Sequence, residues 1–104
     1  MLCAHTVRRL KPGTFEEFAT KFGPDEADAP AGWVRFHMLR STADENEVVT
    51  FGFFDGSIEE LERSQDDGDY RTFRERIDPL VEEVVANGIY DVLVTRTAGS
   101  AVAS

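Results

Sequence analysis

The chain has a single cysteine, Cys3, a single tryptophan, Trp33, and two histidines, His5 and His37. One thiol cannot close an internal disulfide, and without a second cysteine there is no CxxC redox or zinc pattern. Nothing beside Cys3 in sequence would activate a thiolate. Positive charge is scarce as well. Eleven Lys and Arg against twenty Asp and Glu leave a formal net charge of -9, which repels phosphate backbones and anionic headgroups and argues against nucleic acid or a membrane as partner. No apolar run approaches the length needed to span a bilayer. The opening MLCAHTVRRLKPG meets a basic pair after a few apolar residues, unlike a signal peptide, so the expected location is cytoplasmic.

What remains suits one small packed domain. The 104 residues are 41% hydrophobic and include eight Phe, too apolar for disorder and enough for a single core. Residues 2–10 read as a strand closed by Lys11-Pro12-Gly13. Thr14-Phe15-Glu16-Glu17 has the spacing of a capping box, and Phe15, Phe18 and Phe22 share the face of the helix it would open, which Gly23-Pro24 ends. After the acidic DEADAPAG a second strand runs from Gly32 to about Arg40. Strict alternation would put Val34, Phe36 and Met38 on its helix side and Trp33, Arg35, His37 and Leu39 on the other. STADENE is a hairpin connection and residues 48–54 a third strand. Ser57-Ile58-Glu59-Glu60 is a second capping box, with Ile58 and Leu61 inward. A longer helix then carries Tyr70, Phe73, Ile77, Leu80, Val81 and Val84 on one face, kinked at Pro79 and stopped by Asn87-Gly88. IYDVLVT, 89–95, is the last strand.

The order β-α-β-β-α-β predicts an α+β, ferredoxin-like domain: one four-stranded antiparallel sheet with helices on one face. The domain is expected over residues 1–97, with 98–104 a flexible C-terminal tail. Few residues remain to cover the other face, so a second copy packing sheet to sheet is the economical cover.

Leu10-Lys11-Pro12-Gly13, Gly32-Trp33-Val34-Arg35-Phe36, Leu39-Arg40-Ser41, Phe53-Phe54-Asp55-Gly56, Asp69-Tyr70-Arg71-Thr72-Phe73 and Asp78-Pro79-Leu80 occur in an order that resembles the dimeric α/β-barrel superfamily, and within it the antibiotic biosynthesis monooxygenase type of domain. The resemblance covers residues 3 to about 95. It implies a homodimer, a small apolar or aromatic ligand held between sheet and helices, and activities that include cofactor-independent oxygenation of phenolic or quinol-like metabolites. Heme cleavage, isomerisation, decarboxylation and plain binding occur on the same fold. Thr6, Arg63 and Arg74 stand where the heme-degrading branch has Asn, Trp and His, so heme cleavage by that route is not expected. Phe54 replaces a Trp common at the end of strand three.

His37 is the candidate general base, with an intrinsic pKa near working pH, and Arg35 the candidate partner of a phenolate. Each is equally an interface residue of a mixed strand face. Trp33, Thr6, Phe51, Phe53, Tyr70 and Phe73 are the candidate substrate-binding set; Trp33 and the Phe residues would serve equally as core. His5 lies on strand one, separated from His37 by strand three, and no third ligand has suggestive spacing, so no metal is expected; the resemblance implies that no cofactor is needed. DDGD lacks the alternating carboxylates of a calcium loop and reads as a turn with Asp69 capping the next helix. KPGT lacks the ending of a phosphate loop. The leading expectation is a cofactor-independent monooxygenase; a ligand-binding or stress-response module, or an isomerase or decarboxylase, are its rivals.

Overall fold

The structure is a computed structural model and describes residues 1–22, 31–66 and 68–98. Four strands, β1 (Leu2–Leu10), β2 (Trp33–Arg40), β3 (Glu47–Phe54) and β4 (Val81–Asp91), alternate with α1 (Phe15–Lys21), α2 (Ile58–Gln65) and α3 (Gly68–Ile77). All pairings are antiparallel and the spatial order is β2-β3-β1-β4. This is the expected split βαβ arrangement. The Gly23-Pro24 stop, the acidic stretch up to residue 30 and residues 99–104 of the expected tail lie outside the described residues. Asp69, expected to cap the next helix, falls inside α3, which starts at Gly68, and its side chain is likewise outside the description. Among those described, no helix is long and apolar enough to cross a membrane.

The helices cover one face of the sheet at its two ends. At one end Leu10, Phe18, Val48, Ile77 and Leu80 are buried together, with Phe15, Phe22, Phe73 and Met38 against them. At the other, Leu61 of α2 packs on Leu2 and Phe54, flanked by Trp33 and Ile89. Burying such side chains supplies roughly 1.5–3 kcal/mol each. Between these clusters the helix-facing positions of β1 and β3 are Ala4, Thr6, Arg8, Thr50 and Gly52. Small and polar residues there leave a hollow.

Local chemistry explains the ends of the helices. Ser57 accepts from the Glu60 amide while Glu60 accepts from the Ser57 amide, both at 3.2 Å, so the predicted capping box opens α2. The first predicted box does not form. Thr14 instead donates its hydroxyl to the carbonyls of Lys11 and Leu80, tying the turn after β1 to the segment before β4.

The expected long helix also differs. It ends at Ile77, followed by a 3-10 turn over Asp78–Leu80, and Val81 starts a strand. Pro79 has no amide to give and its ring crowds the carbonyl of Glu75, so the helix stops where a kink was expected. Val84 lies within β4, as does Asn87-Gly88, and the strand ends at Asp91, short of the predicted Thr95. The helical spacing is an imitation. Register shifts opposite Val7/Arg8 and Arg9/Leu10 leave Val85 and Glu82 unmatched, so Val81, Val84 and Asn87 oppose Leu10, Arg8 and Thr6 on one face at intervals of three.

A third bulge changes β2. Trp33 opposes Phe54 and Arg35 opposes Phe53, leaving Val34 unmatched and exposed. Trp33 therefore shares the helix side with Phe36 and Met38, whereas simple alternation had placed it with Arg35 and His37. Only Arg35, His37 and Leu39 of that predicted set face away from the helices, opposite Phe53, Phe51 and Val49.

Candidate functional site

The hollow between the two core clusters is a pocket of about 990 Å³. Its floor is β1 and β3, its walls come from β2 and α3, and β4 contributes Val84, Asn87 and Ile89. Trp33 stacks on Phe36 with ring centroids 5.1 Å apart, and its indole nitrogen donates to the Ser64 hydroxyl at 2.7 Å. Gly52 makes this possible. A Cβ at that position would lie 2.8 Å from both the Phe36 and Trp33 rings, so the two aromatics can sit over β3 only because nothing projects from it. Across the pocket, Tyr70 and Phe73 of α3 lie with ring centroids 6.0 Å apart.

The pocket is aromatic at its walls and cationic in its charge. Arg8, on the floor, is only 5% exposed and donates to the Thr50 hydroxyl at 2.6 Å. Burial, and then the like charge of Arg74, lowers its pKa below the usual guanidinium value, against weaker opposing effects of Tyr70 and Asp78. Among the described residues no carboxylate lies within 4 Å of Arg8. Arg74 is paired with Asp78 at 3.2 Å, and Arg76 stands at the rim. Thr6 donates to the Asn87 side-chain carbonyl at 3.3 Å beside Arg8. Among the described residues that line the pocket there is no carboxylate and no imidazole.

The predicted site residues divide between the two faces. Thr6, Trp33, Tyr70 and Phe73 line the pocket together. Phe51 borders it but lies on β3 at a position facing away from the helices, as does Phe53. His37 and Arg35 are on that open face too. His37 stacks on Phe51 at 4.9 Å and meets the edge of Phe53, while the Arg35 guanidinium sits over the Phe53 ring at 4.7 Å. His5 opposes Phe51 across the next strand pair and packs edge-on to Tyr90. The two histidines thus sit on the strands either side of Phe51. Cys3 shares this face, and burial pushes its thiol up, away from thiolate reactivity.

Sequence reasoning passed over Arg8, Thr50, Phe36 and Asn87. A signal for Arg8 was present. Leu2, Ala4, Thr6, Arg8 and Leu10 share a strand face by parity, and a lone cation in an inward stripe flanked by Leu marks a buried charge.

No family model and no curated protein matches the chain. Solved structures do resemble it. A Chloroflexus aurantiacus protein provisionally named antibiotic biosynthesis monooxygenase superposes with a TM-score of 0.76 at 13% identity, over 94% of this chain and 98% of its own. A Nitrosomonas europaea protein of the same provisional name gives 0.74 at 19% identity, over 90% and 100%. SnoaB, a cofactor-independent oxygenase from Streptomyces nogalater, gives 0.67 at 16% identity, over 90% and 94%. At these identities the likeness establishes a common ferredoxin-like fold, and the chemistry must be argued from the site.

Proposed function

We propose that the chain is a cofactor-independent monooxygenase for a small phenolic or quinol-type metabolite, acting as a homodimer. The observation that carries this reading is the pocket: a volume of about 990 Å³ walled by Trp33, Phe36, Tyr70 and Phe73 suits a flat, fused-ring molecule. The fold shared with a cofactor-independent oxygenase supports it. An ionised phenol is electron-rich enough to reduce oxygen itself, so the protein's part is to orient the ring, favour its ionised form and exclude bulk water. For an anthrone-type substrate the ring CH₂ and O₂ become a ring C=O and water, with all electrons drawn from the substrate.

Substrate contacts fall to Thr6, Trp33, Tyr70 and Phe73. The His37, Phe51, Phe53 and Arg35 ladder, with exposed Leu39 and Tyr90, forms an apolar and aromatic sheet face suited to a second copy of the chain. His37 and Arg35 stand on that face, so a part for His37 as base and Arg35 as phenolate partner requires substrate to reach the sheet-to-sheet side. Oxygen uptake with hydroquinones and anthrones tests the oxygenase reading; absence of uptake and product across the panel overturns it. Unchanged uptake in His37→Ala removes His37 from the reaction. Sedimentation of wild type against Phe51→Asp tests the dimer, with conversion to monomer expected.

A second reading, a binding module without chemistry, is favoured by the lack of a carboxylate or imidazole among the described pocket-lining residues. Saturable binding with no product over long incubation would select it. Turnover without oxygen would instead select an isomerase or decarboxylase.

A further inference from the structure

We infer that Arg8 is the anion receptor of the pocket, and that the ligand is a planar aromatic carrying an oxyanion, carboxylate or phenolate, that meets this guanidinium on the pocket floor. The inference rests on the reading of this pocket as the ligand site and is independent of any oxygen chemistry.

The argument begins with charge. A protein with twenty acidic residues lines its pocket with Arg8, Arg74 and Arg76 and, among the described residues, with no acid. Arg74 already has Asp78, and Arg76 is exposed to water at the rim. Arg8 differs from both. It is almost completely buried; one of its N–H donors goes to a neutral hydroxyl, and its guanidinium carbon lies 5.9 Å from the centroid of the Phe18 ring, so neither partner is an anion. A guanidinium presents five donors in a fixed fork, and burial without a counterion is costly. Arg8 itself lines a cavity large enough for a ligand.

Position adds a second reason. Arg8 lies on β1, a central strand of the sheet, and its neighbours across the two pairings are Val48 on β3 and Val84 on β4. The pairing with β3 holds its backbone, and the hydrogen bond to Thr50 and the Phe18 ring, 5.9 Å from the guanidinium carbon, hold its side chain, so the fork is positioned before a ligand arrives. The aromatic walls and the cation together select a ring with one charged oxygen over a neutral ring or a free inorganic anion. For a phenol the same charge would favour ionisation, which compensates for the missing base in the described lining.

The test is calorimetric titration of the full chain with 2-naphthoate and with its neutral counterpart 2-naphthamide. The carboxylate is expected to bind at least about tenfold more tightly, as a hydrogen bond to a charged group requires. Arg8→Gln should erase the difference, whereas Arg8→Lys should keep part of it. For the phenolate arm, 4-nitro-1-naphthol is titrated spectroscopically, and its bound pKa should fall by about 1–3 units in wild type and return towards the free value in Arg8→Gln. Equal affinity for carboxylate and amide in wild type overturns the inference whether or not the variants fold, as does failure of both probes to bind. A preference that survives in folded Arg8→Gln also overturns it. Selective binding with no oxygen uptake would keep the inference and reject the monooxygenase.

Discussion

Replacing Arg8 and Thr50 together by Met and Val should leave the domain at least as stable as the wild type, although either replacement alone should weaken it. Arg8 and Thr50 are each only 5% exposed and share one hydrogen bond of 2.6 Å. Thr50→Val removes the acceptor and leaves a buried cation with fewer partners, at a cost of about 1.5–3 kcal/mol. Arg8→Met removes a charge whose lowered pKa records its desolvation first and the repulsion of Arg74 second. It also strands the Thr50 hydroxyl, a loss of about 1–3 kcal/mol. The double replacement strands neither, and substituting a buried polar pair with apolar groups of similar shape is neutral or favourable. The double variant should therefore exceed Arg8→Met by about 1–3 kcal/mol, with each kcal/mol worth about 4–8 °C in Tm for a domain of this size. Urea unfolding at fixed protein concentration, followed by the fluorescence of Trp33 and by circular dichroism, measures all four corners of the cycle. A double variant less stable than the wild type would refute the view that Arg8 is retained for binding at a cost in stability.

Ser57→Ala should destabilise the domain by about 1 kcal/mol, because the Ser57 hydroxyl is the acceptor for the Glu60 amide at the start of α2; an unchanged urea midpoint would count against it. Gly52→Val should displace the Trp33 and Phe36 rings, which lie 2.8 Å from a Cβ at that position. The expected readout is a shifted Trp emission maximum and lost binding of 2-naphthoate. Asp44 accepts from Arg9 at 2.6 Å, and this side-chain hydrogen bond, followed by that from the Asn46 amide, holds its pKa below 3.8. A carboxylate depressed in the folded state adds stability that is complete above its unfolded pKa and fades as pH falls through the folded one. In Arg9→Gln, carboxylate titration by NMR should therefore show Asp44 rising towards the ordinary value.

Period and turn chemistry carried the element order. β1, the α2 capping box and the hairpin between β2 and β3 follow from local residues, and with them the split βαβ topology and the inward stripe of Leu2, Leu10, Val48 and Phe54. The misread faces of β2 and β4 share one cause. Three unmatched residues, Val34, Glu82 and Val85, break the two-residue period of β2 and β4. In β4 they spread same-face residues to intervals of three, so a strand imitates a helix. In β2 one of them turns Trp33 towards the helices and away from His37 and Arg35.

A bulge has no residue signature strong enough to read from one chain, since any extra residue can be accommodated where the partner strand tolerates a shift. Its location is decided by packing on both sides of the sheet. The composition of the pocket was thus within reach of the sequence: an aromatic set, a Thr and, by the parity of β1, an inward Arg. Its assembly was not. Which aromatics share a cavity with Arg8, and which face the open side of the sheet, follows from strand register, and register is a property of pairs of distant segments that local preference does not encode.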